Sequence, residues 1–322
     1  MKLKKGANLI YGPNGSGKTT VLEAISLASF GKSFKTNRSK TFITEDCSQF
    51  NVRITTNTRD VVEIKGDPRK KIIIKNNTKI KKLSEHISFM PIIVNTPEEA
   101  VLETKINKLR NATIDRNISV TSFKYLKDLQ KYANILKQRN IAIKKKENIK
   151  IWDNMFIEQA LKIWKEKRTY STKINNFLKE QSDENFINIK AETEIKGILE
   201  KEQEIYEKLK ENREKEIEKG YTIIGPQKDK INYFLNKKEI KANASQGEKT
   251  LFYLLLKKAE AELIKEKLNN IEPIILLDDV LAKLDKNNRE NTVSFFKNNE
   301  QTIITHTEKM KGLTINQINI ND

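Results

Sequence analysis

The chain has 322 residues, with 61 Lys and Arg against 43 Asp and Glu, a formal charge of +18 and an isoelectric point near 9.6. A chain of this length buries roughly three-quarters of its extended surface and needs no cross-links; the single cysteine, Cys47, excludes an internal disulfide, and with only His86 and His306 a His/Cys metal centre is excluded as well. No apolar run is long enough to span a bilayer and Met1 to Gly6 lacks the apolar stretch of a signal peptide, so the expectation is a soluble, cytoplasmic protein with no membrane partner.

In chain order, Asn8 to Tyr11 reads as a short strand stopped at Gly12, and Val21, Leu22, Ile25 and Phe30 then follow helical spacing. Val52 to Ile54, Val61 to Ile64 and Ile72 to Ile74 read as strands separated by Gly66-Asp67-Pro68 and Asn76-Asn77. From Pro97 to Lys219 the pattern is helical. Phe123, Leu126, Leu129, Tyr132, Ala133 and Leu136 form one stripe; Phe156, Ala160, Ile163, Trp164, Ile174 and Phe177 form another. Strands and helices then alternate: Tyr221 to Ile224, Ile231 to Leu235, a helix over Glu248 to Leu268, Ile274 to Leu277, a helix near Asn288 to Phe296, and Thr302 to Thr305. The arrangement predicts an α/β domain built from both ends of the chain, 1–95 and 220–322, around an inserted helical lobe, 96–219.

Gly12-Pro13-Asn14-Gly15-Ser16-Gly17-Lys18-Thr19 satisfies the phosphate-loop pattern between a strand and a helix, with Thr20 next in the helix. Its glycines let backbone N–H groups converge on phosphate oxygens, and the helix N-terminus adds partial positive charge. Lys18 is placed for the β- and γ-phosphates of ATP and the Thr19 hydroxyl for Mg²⁺. The run Ile274 to Leu277 suits a parallel strand buried on both faces, ending in two carboxylates. Asp278 is the natural partner of the Mg²⁺, and Asp279 is placed to orient or deprotonate an attacking water.

Lys18 and Asp278 stand near opposite ends of the sequence, too far apart for a small nucleotide kinase. The split matches an ABC-type ATPase head, an α/β P-loop NTPase with a mixed sheet core. Such heads need a Ser-and-Gly turn that closes on the γ-phosphate of a second subunit, and Ser245-Gln246-Gly247-Glu248 supplies one before a long helix. Alone, that turn would be an ordinary helix N-cap. His306 ends the last strand, where it reads either as a switch histidine near the γ-phosphate or as a strand-end residue. Asp285 reads as a linking aspartate or as a helix cap.

Taken together these motifs resemble the RecF family of DNA replication and repair proteins over nearly the whole chain. The resemblance extends to Leu22 to Ile25, Gly31 to Thr36, Leu136 to Asn140, Trp152-Asp153, Gly225-Pro226, and Leu276 to Leu281 with Leu284-Asp285. It implies an ATP-dependent homodimer that binds gapped or single-strand/double-strand junction DNA and works with RecR and RecO to help load RecA. An aspartate at 279, one methylene shorter than the glutamate many ABC ATPases use as base, suits slow ATP hydrolysis as the release switch. The family's initial strand with its Asn-Phe-Arg-Asn segment has no counterpart here. Its paired arginines appear as Arg110-Asn111, and its Gly-Pro-His-Arg-Asp as Gly225-Pro226-Gln227-Lys228-Asp229.

The positive charge reads either as a lysine-rich composition or as a field for a polyanion. Lys79 to Lys82, Lys144 to Lys146 and Lys162 to Arg168 are candidate DNA contacts, and each also reads as a solvated face. Two other functions stay open: a DNA- or protein-binding scaffold with an incidental nucleotide site, and an SMC-like or anti-phage head outside RecF. The short helical insert argues against an SMC arm.

Overall fold

The computed structural model describes residues 1–35, 39–44, 46–83, 86, 89–184 and 189–321; Thr36, the end of one quoted motif, lies outside them. In chain order, β1 (Gly6–Tyr11), α1 (Lys18–Phe30), β2 (Phe50–Thr55), β3 (Val61–Gly66), β4 (Lys71–Lys75), β5 (Thr78–Lys79) and β6 (Ile92–Asn95) come first. Next are α2 (Pro97–Lys105), α3 (Asn107–Thr121), α4 (Phe123–Lys145), α5 (Lys150–Glu184), β7 (Ala191–Lys196), α6 (Glu202–Glu211) and α7 (Arg213–Lys219). They are followed by β8 (Lys230–Leu235), β9 (Lys238–Glu239), α8 (Ile240–Asn243) and α9 (Gln246–Lys267). The last elements are β10 (Ile274–Leu277), α10 (Lys286–Lys297), β11 (Gln301–His306) and β12 (Asn316–Asn319). Among the described residues no helix is long and apolar enough to cross a membrane.

The chain divides into two compact units, Met1–Glu98 with Ile264–Asp322, and Glu99–Leu263. In the first, a five-stranded sheet has the order β12-β1-β11-β10-β6, with every neighbouring pair parallel. Successive residues Leu9 and Ile10 of β1, Ile275 to Leu277 of β10, and Ile303 and Ile304 of β11 are all fully buried. Since successive side chains point to opposite faces, both faces are covered, as the unbroken apolar runs predict. Helix α1 packs on β11 and α10 on β1. A separate antiparallel sheet, β2-β3-β4-β5, carries the second type of pairing; Val62 and Ile64 cluster with Leu27, Ala28, Phe50 and Met90. The strands predicted from the apolar pieces at 52–54, 61–64 and 72–74 are β2, β3 and β4, and the structure pairs them antiparallel.

The second unit corrects the sequence reading in several places. The predicted helical stretch is interrupted by β7, which pairs antiparallel with β8 from Ala191↔Leu235 to Lys196↔Lys230. Glu192, Glu194 and Lys196 favour helix on propensity. Their strand state comes from the ladder with β8, with Ala191 and Thr193 on the buried face. Because β7 and β8 share this sheet, residues 220–263 cluster with the helices rather than with the first unit, so the division falls after Leu263 and not at the sequence boundary between 219 and 220.

Tyr221 to Ile224, expected as a strand, is a loop. Its N–H groups find side chains in place of a ladder: Thr222 N donates to Asn140 Oδ1 at 2.8 Å and Ile223 N to Glu216 Oε1 at 3.0 Å. On α4 the buried face is Tyr125, Tyr132, Ile135, Arg139 and Ala142, while Phe123 and Ala133 are exposed. Phe156, Ala160, Ile163, Trp164 and Ile174 of α5 are buried as their spacing predicts.

Arg139 organises this unit. It is fully buried, and its Nε donates to Asp153 Oδ1 at 2.9 Å, Nη1 to Thr222 Oγ1 at 2.6 Å and Nη2 to Glu216 Oε2 at 2.6 Å. One guanidinium thus joins α4, α5, α7 and the 221–224 loop, and Arg213 Nη2 donates to the other Asp153 oxygen at 2.5 Å. Removing one member of a buried ionic network leaves uncompensated charge. Arg139→Met should therefore cost about 3–5 kcal/mol in urea unfolding. A loss below about 1 kcal/mol would show that the network is not what holds these helices.

Candidate nucleotide site

Strand β1 ends at Tyr11 and α1 begins at Lys18, so the six residues between them form the phosphate-loop turn. Gly15 has φ +80° and Gly17 φ +91°, left-handed values that a side chain would strain. A Cβ at Gly15 would meet no atom within 4 Å, so this part of the loop faces open space. Lys18 is buried and curls back over the loop, its Nζ donating to Gly12 O and Pro13 O at 2.7 Å each. Ser16 Oγ is buried without a hydrogen-bond partner.

The carboxyl end of β10 meets this turn. Asp278 is buried; Thr19 Oγ1 lies 3.0 Å from each of its carboxylate oxygens, and Thr305 Oγ1 of β11 donates to Oδ1 at 2.7 Å. Asp278 N donates to Asn95 O of β6 at 3.0 Å. Asp279 N donates to Thr305 Oγ1 at 2.9 Å. Asp279 adopts φ +51°, a left-handed conformation costing on the order of 1 kcal/mol for a residue other than glycine. Partial burial raises its carboxyl above the usual range; the Asp278 charge adds to that while His306 and Lys18 oppose it.

A cavity of about 330 Å³ opens here, lined by Asn14, Gly15, Gly17, Lys18, Thr19, Thr20, Lys35, Asp278, Asp279 and Thr305. Lys35 and Thr305 were missed as site residues in the sequence. Lys35 could have been found as the one cation of the Gly31 to Lys35 segment beyond Lys32; its N–H donates to Ser33 Oγ, which in turn donates to Glu23 Oε1 at 2.6 Å. Thr305 precedes His306 at the strand end. His306 is itself buried with Nδ1 unpartnered, and burial with the Arg289 charge holds its ring below the ordinary value against the pull of Asp279.

The donor set fits a phosphate-bearing ligand. Lys18 and Lys35 line the cavity together with the loop residues, an orphaned hydroxyl sits within the loop, and the two carboxylates Asp278 and Asp279 suit a divalent cation rather than phosphate. Asp285 is the N-cap of α10, its Oδ1 accepting from Asn288 N at 2.9 Å, which is the cap reading of that residue.

In the second unit, Ser245 to Glu248 open α9 as a reciprocal capping box. Ser245 N donates to Glu248 Oε2 at 2.7 Å and Glu248 N to Ser245 Oγ at 3.2 Å. Ser245, Gln246 and Glu248 are exposed and Gly247 is half-buried. The N–H from Ser245 holds Glu248 below the usual carboxylate range.

Two of the basic features take structural places. Arg110 is buried and donates to Glu103 O and Thr104 O. Lys167, inside the candidate DNA stretch Lys162 to Arg168, is also buried, which removes it from any DNA surface; its Nζ donates to Asn111 Oδ1 at 2.8 Å and Pro226 O at 3.1 Å. Sequence reading missed this because charge alone does not reveal a buried partner. Lys79, Lys81, Lys82 and Lys144 to Lys146 are exposed, and Lys228 lies over the exposed Tyr221 ring.

The fold and the site together define a P-loop NTPase of the ABC-ATPase head type. The family described as RecF/RecN/SMC N terminal domain matches residues 1–320. The DNA replication and repair protein RecF of Ruminiclostridium cellulolyticum is 32% identical, over 94% of this chain and 87% of that one. A solved recombination mediator protein, RecF-ATPrS of the RecFOR pathway, superposes with a TM-score of 0.83 at 26% identity, over 100% of this chain and 92% of the other. The Smc head domain of Pyrococcus furiosus, solved with the C-terminal domain of ScpA, shares the fold at a TM-score of 0.55 and 17% identity, over 96% and 85%. The chain belongs to the RecF family.

One consequence concerns pH. Burial pushes the Asp229 carboxyl up to about 6 despite Lys167 and the 2.9 Å hydrogen bond from Trp164 Nε1, with Asp115 adding to the rise. A raised carboxyl contributes stability that is full below its unfolded value, near 3.8, and is lost as pH climbs through about 6. Relative to Asp229→Asn, the wild type should lose about 2 kcal/mol between pH 4 and pH 7 in denaturant unfolding. A pH-independent difference would show that Asp229 stays ionised in the fold.

Proposed function

We propose that this protein is an ATP-dependent DNA-repair switch that binds ATP and Mg²⁺ at Gly12 to Thr20, dimerises on ATP, and holds gapped or junction DNA until hydrolysis separates the two copies. The observation that carries this reading is the convergence of Thr19, Asp278 and Thr305 at one end of the 330 Å³ cavity whose wall is Lys18 and the left-handed loop glycines. The RecF relatives support it, one of them solved with ATPrS.

Each residue has a distinct task. Lys18 Nζ exchanges its two loop carbonyls for phosphate oxygens, and the N–H groups of the loop and of the α1 terminus supply further donors. Thr19 and Asp278 would hold Mg²⁺, which when bound neutralises charge on the terminal phosphates. Asp279, made more basic by partial burial, accepts the proton of the attacking water. His306, held neutral, is available to orient it. An aspartate is one methylene shorter than a glutamate in this role, which suits slow turnover and a timer.

The nucleotide chemistry belongs to the first unit, and Ser245 to Glu248 of the second unit act on the site of a second copy. Support comes from their exposure and from the partial positive charge at the start of α9. Dimer affinity then depends on the γ-phosphate, and hydrolysis removes the contact. DNA binding rests on the +18 charge and the exposed lysines. RecR and RecO as partners, and RecA loading downstream, rest on the RecFOR pathway in the name of the solved relative.

The test is the mass in solution without nucleotide, with ADP and with ATP·Mg²⁺, together with turnover with and without gapped duplex. A dimer only with ATP and faster turnover on DNA are expected. Lys18→Ala should lose both, and Ser245→Arg should keep ATP binding but lose the dimer. An unchanged mass with ATP bound would instead favour a basic scaffold. If six to ten phosphates are neutralised, DNA affinity should fall by roughly 10³ to 10⁵ between 50 and 200 mM salt. A flat response would discard phosphate-backbone binding.

A further inference from the structure

Beside the phosphate loop, away from its catalytic carboxylates, runs the last strand of the sheet. Strand β12 pairs parallel with β1 from Asn8↔Asn316 to Tyr11↔Asn319. The ladder continues one residue further, where Ile320 N donates to Tyr11 O at 3.0 Å. Side chains pin the strand in this register: Asn316 Nδ2 donates to Asn8 Oδ1 at 2.8 Å, while Gln317 and Met310 exchange two hydrogen bonds. Tyr11 is the residue before the loop, so Ile320 is held where the loop begins.

Its side chain then meets the loop itself. A Cβ built at Gly12 would lie 2.7 Å from Ile320 Cγ2 and 3.1 Å from Ser16 Oγ. At Gly17, the other end of the loop, a Cβ would lie 3.9 Å from Ile320 Cδ1. One isoleucine therefore packs against the first residue of the turn and lies close to its last. Gly12 has no left-handed φ, so its lack of a side chain is a demand of space rather than of conformation.

We propose that Ile320 is a positioning residue for the phosphate loop: its side chain wedges against Gly12, close to Gly17, and holds the loop in its ligand-ready shape. The inference rests on the ATP-binding reading above for its consequence, but the bracing itself does not depend on ligand. Preorganised donors bind without an ordering cost, so loosening the brace weakens binding while the sheet stays intact. The effect should equal the loss of packing by one half-exposed aliphatic chain, about five- to tenfold in affinity.

The experiment compares Ile320→Ala, Ile320→Val, Gly12→Ala and the Gly12→Ala/Ile320→Ala double variant with the wild type. ATP·Mg²⁺ affinity, thermal midpoint and amide hydrogen exchange of residues 12–19 without nucleotide are read together. Ile320→Ala should speed exchange across the loop, leave β1 protected, and weaken ATP about five- to tenfold, with Ile320→Val close to wild type. Gly12→Ala should weaken ATP by more than about tenfold, and the double variant should bind about as well as Ile320→Ala alone because the colliding methyl is gone. Additive losses in the double variant, or loop exchange in Ile320→Ala identical to wild type, would overturn the proposal. Should the wild type not bind ATP, the functional reading falls, and the exchange data still decide the brace.

Discussion

The arrangement of the first unit turns on one carboxylate. Asp278 accepts from the Thr19 hydroxyl at the start of α1 and from the Thr305 hydroxyl of β11, and its own N–H is received by Asn95 of β6. Four elements from distant parts of the chain thus meet at a single buried acid. Such a group is costly to bury without partners, and here hydroxyl donors on two sides supply them. The same geometry puts a carboxylate at the carboxyl end of a parallel strand beside a phosphate loop, the position from which open α/β sheets address their ligands. Structural satisfaction and chemistry are served by the same atoms.

Next to it the backbone departs from comfort. Asp279 is held left-handed, with its N–H taken by Thr305. Strain of this kind persists only where the surroundings over-determine it, and here the buried Asp278 on one side and Val280 on the other leave no relaxation. The result is a carboxylate turned out of the strand and exposed, while its neighbour is turned in. Two adjacent acids thereby acquire different environments.

The second unit is built on another principle. Its interior carries charge: Arg139 with Asp153 and Glu216, and Lys167 with Asp229 beneath Trp164. Several stretches by which the sequence resembles RecF, among them Leu136 to Asn140, Trp152-Asp153 and Gly225 to Asp229, belong to these clusters. A Cβ at Gly225 would lie 2.7 Å from both Phe156 and Tyr132. Their sequence signature therefore reflects the packing of a polar core, in which geometry is more constrained than in an apolar one. The exposed capping box at Ser245 stands apart as a surface feature of the same unit.

What could be read from the residues alone was local and continuous. The Gly12 to Thr19 loop, the unbroken apolar run before Asp278 and the helix after Ser245 each carry their signal within a dozen residues, through backbone freedom, burial on two faces and capping. Other features were decided only when distant segments met. Ala191 to Lys196 became a strand because β8 lay beside it; Tyr221 to Ile224 became a loop because Asn140 and Glu216 took its N–H groups. Lys167 went from a surface cation to a buried one because Asn111, Pro226 and Asp229 closed around it. Ile320 came to rest on Gly12, some three hundred positions earlier in the chain, because β12 paired with β1. Periodicity reports which face of a segment avoids water, but the partner that covers it is selected by long-range pairing and hydrogen-bond satisfaction, which no single segment encodes.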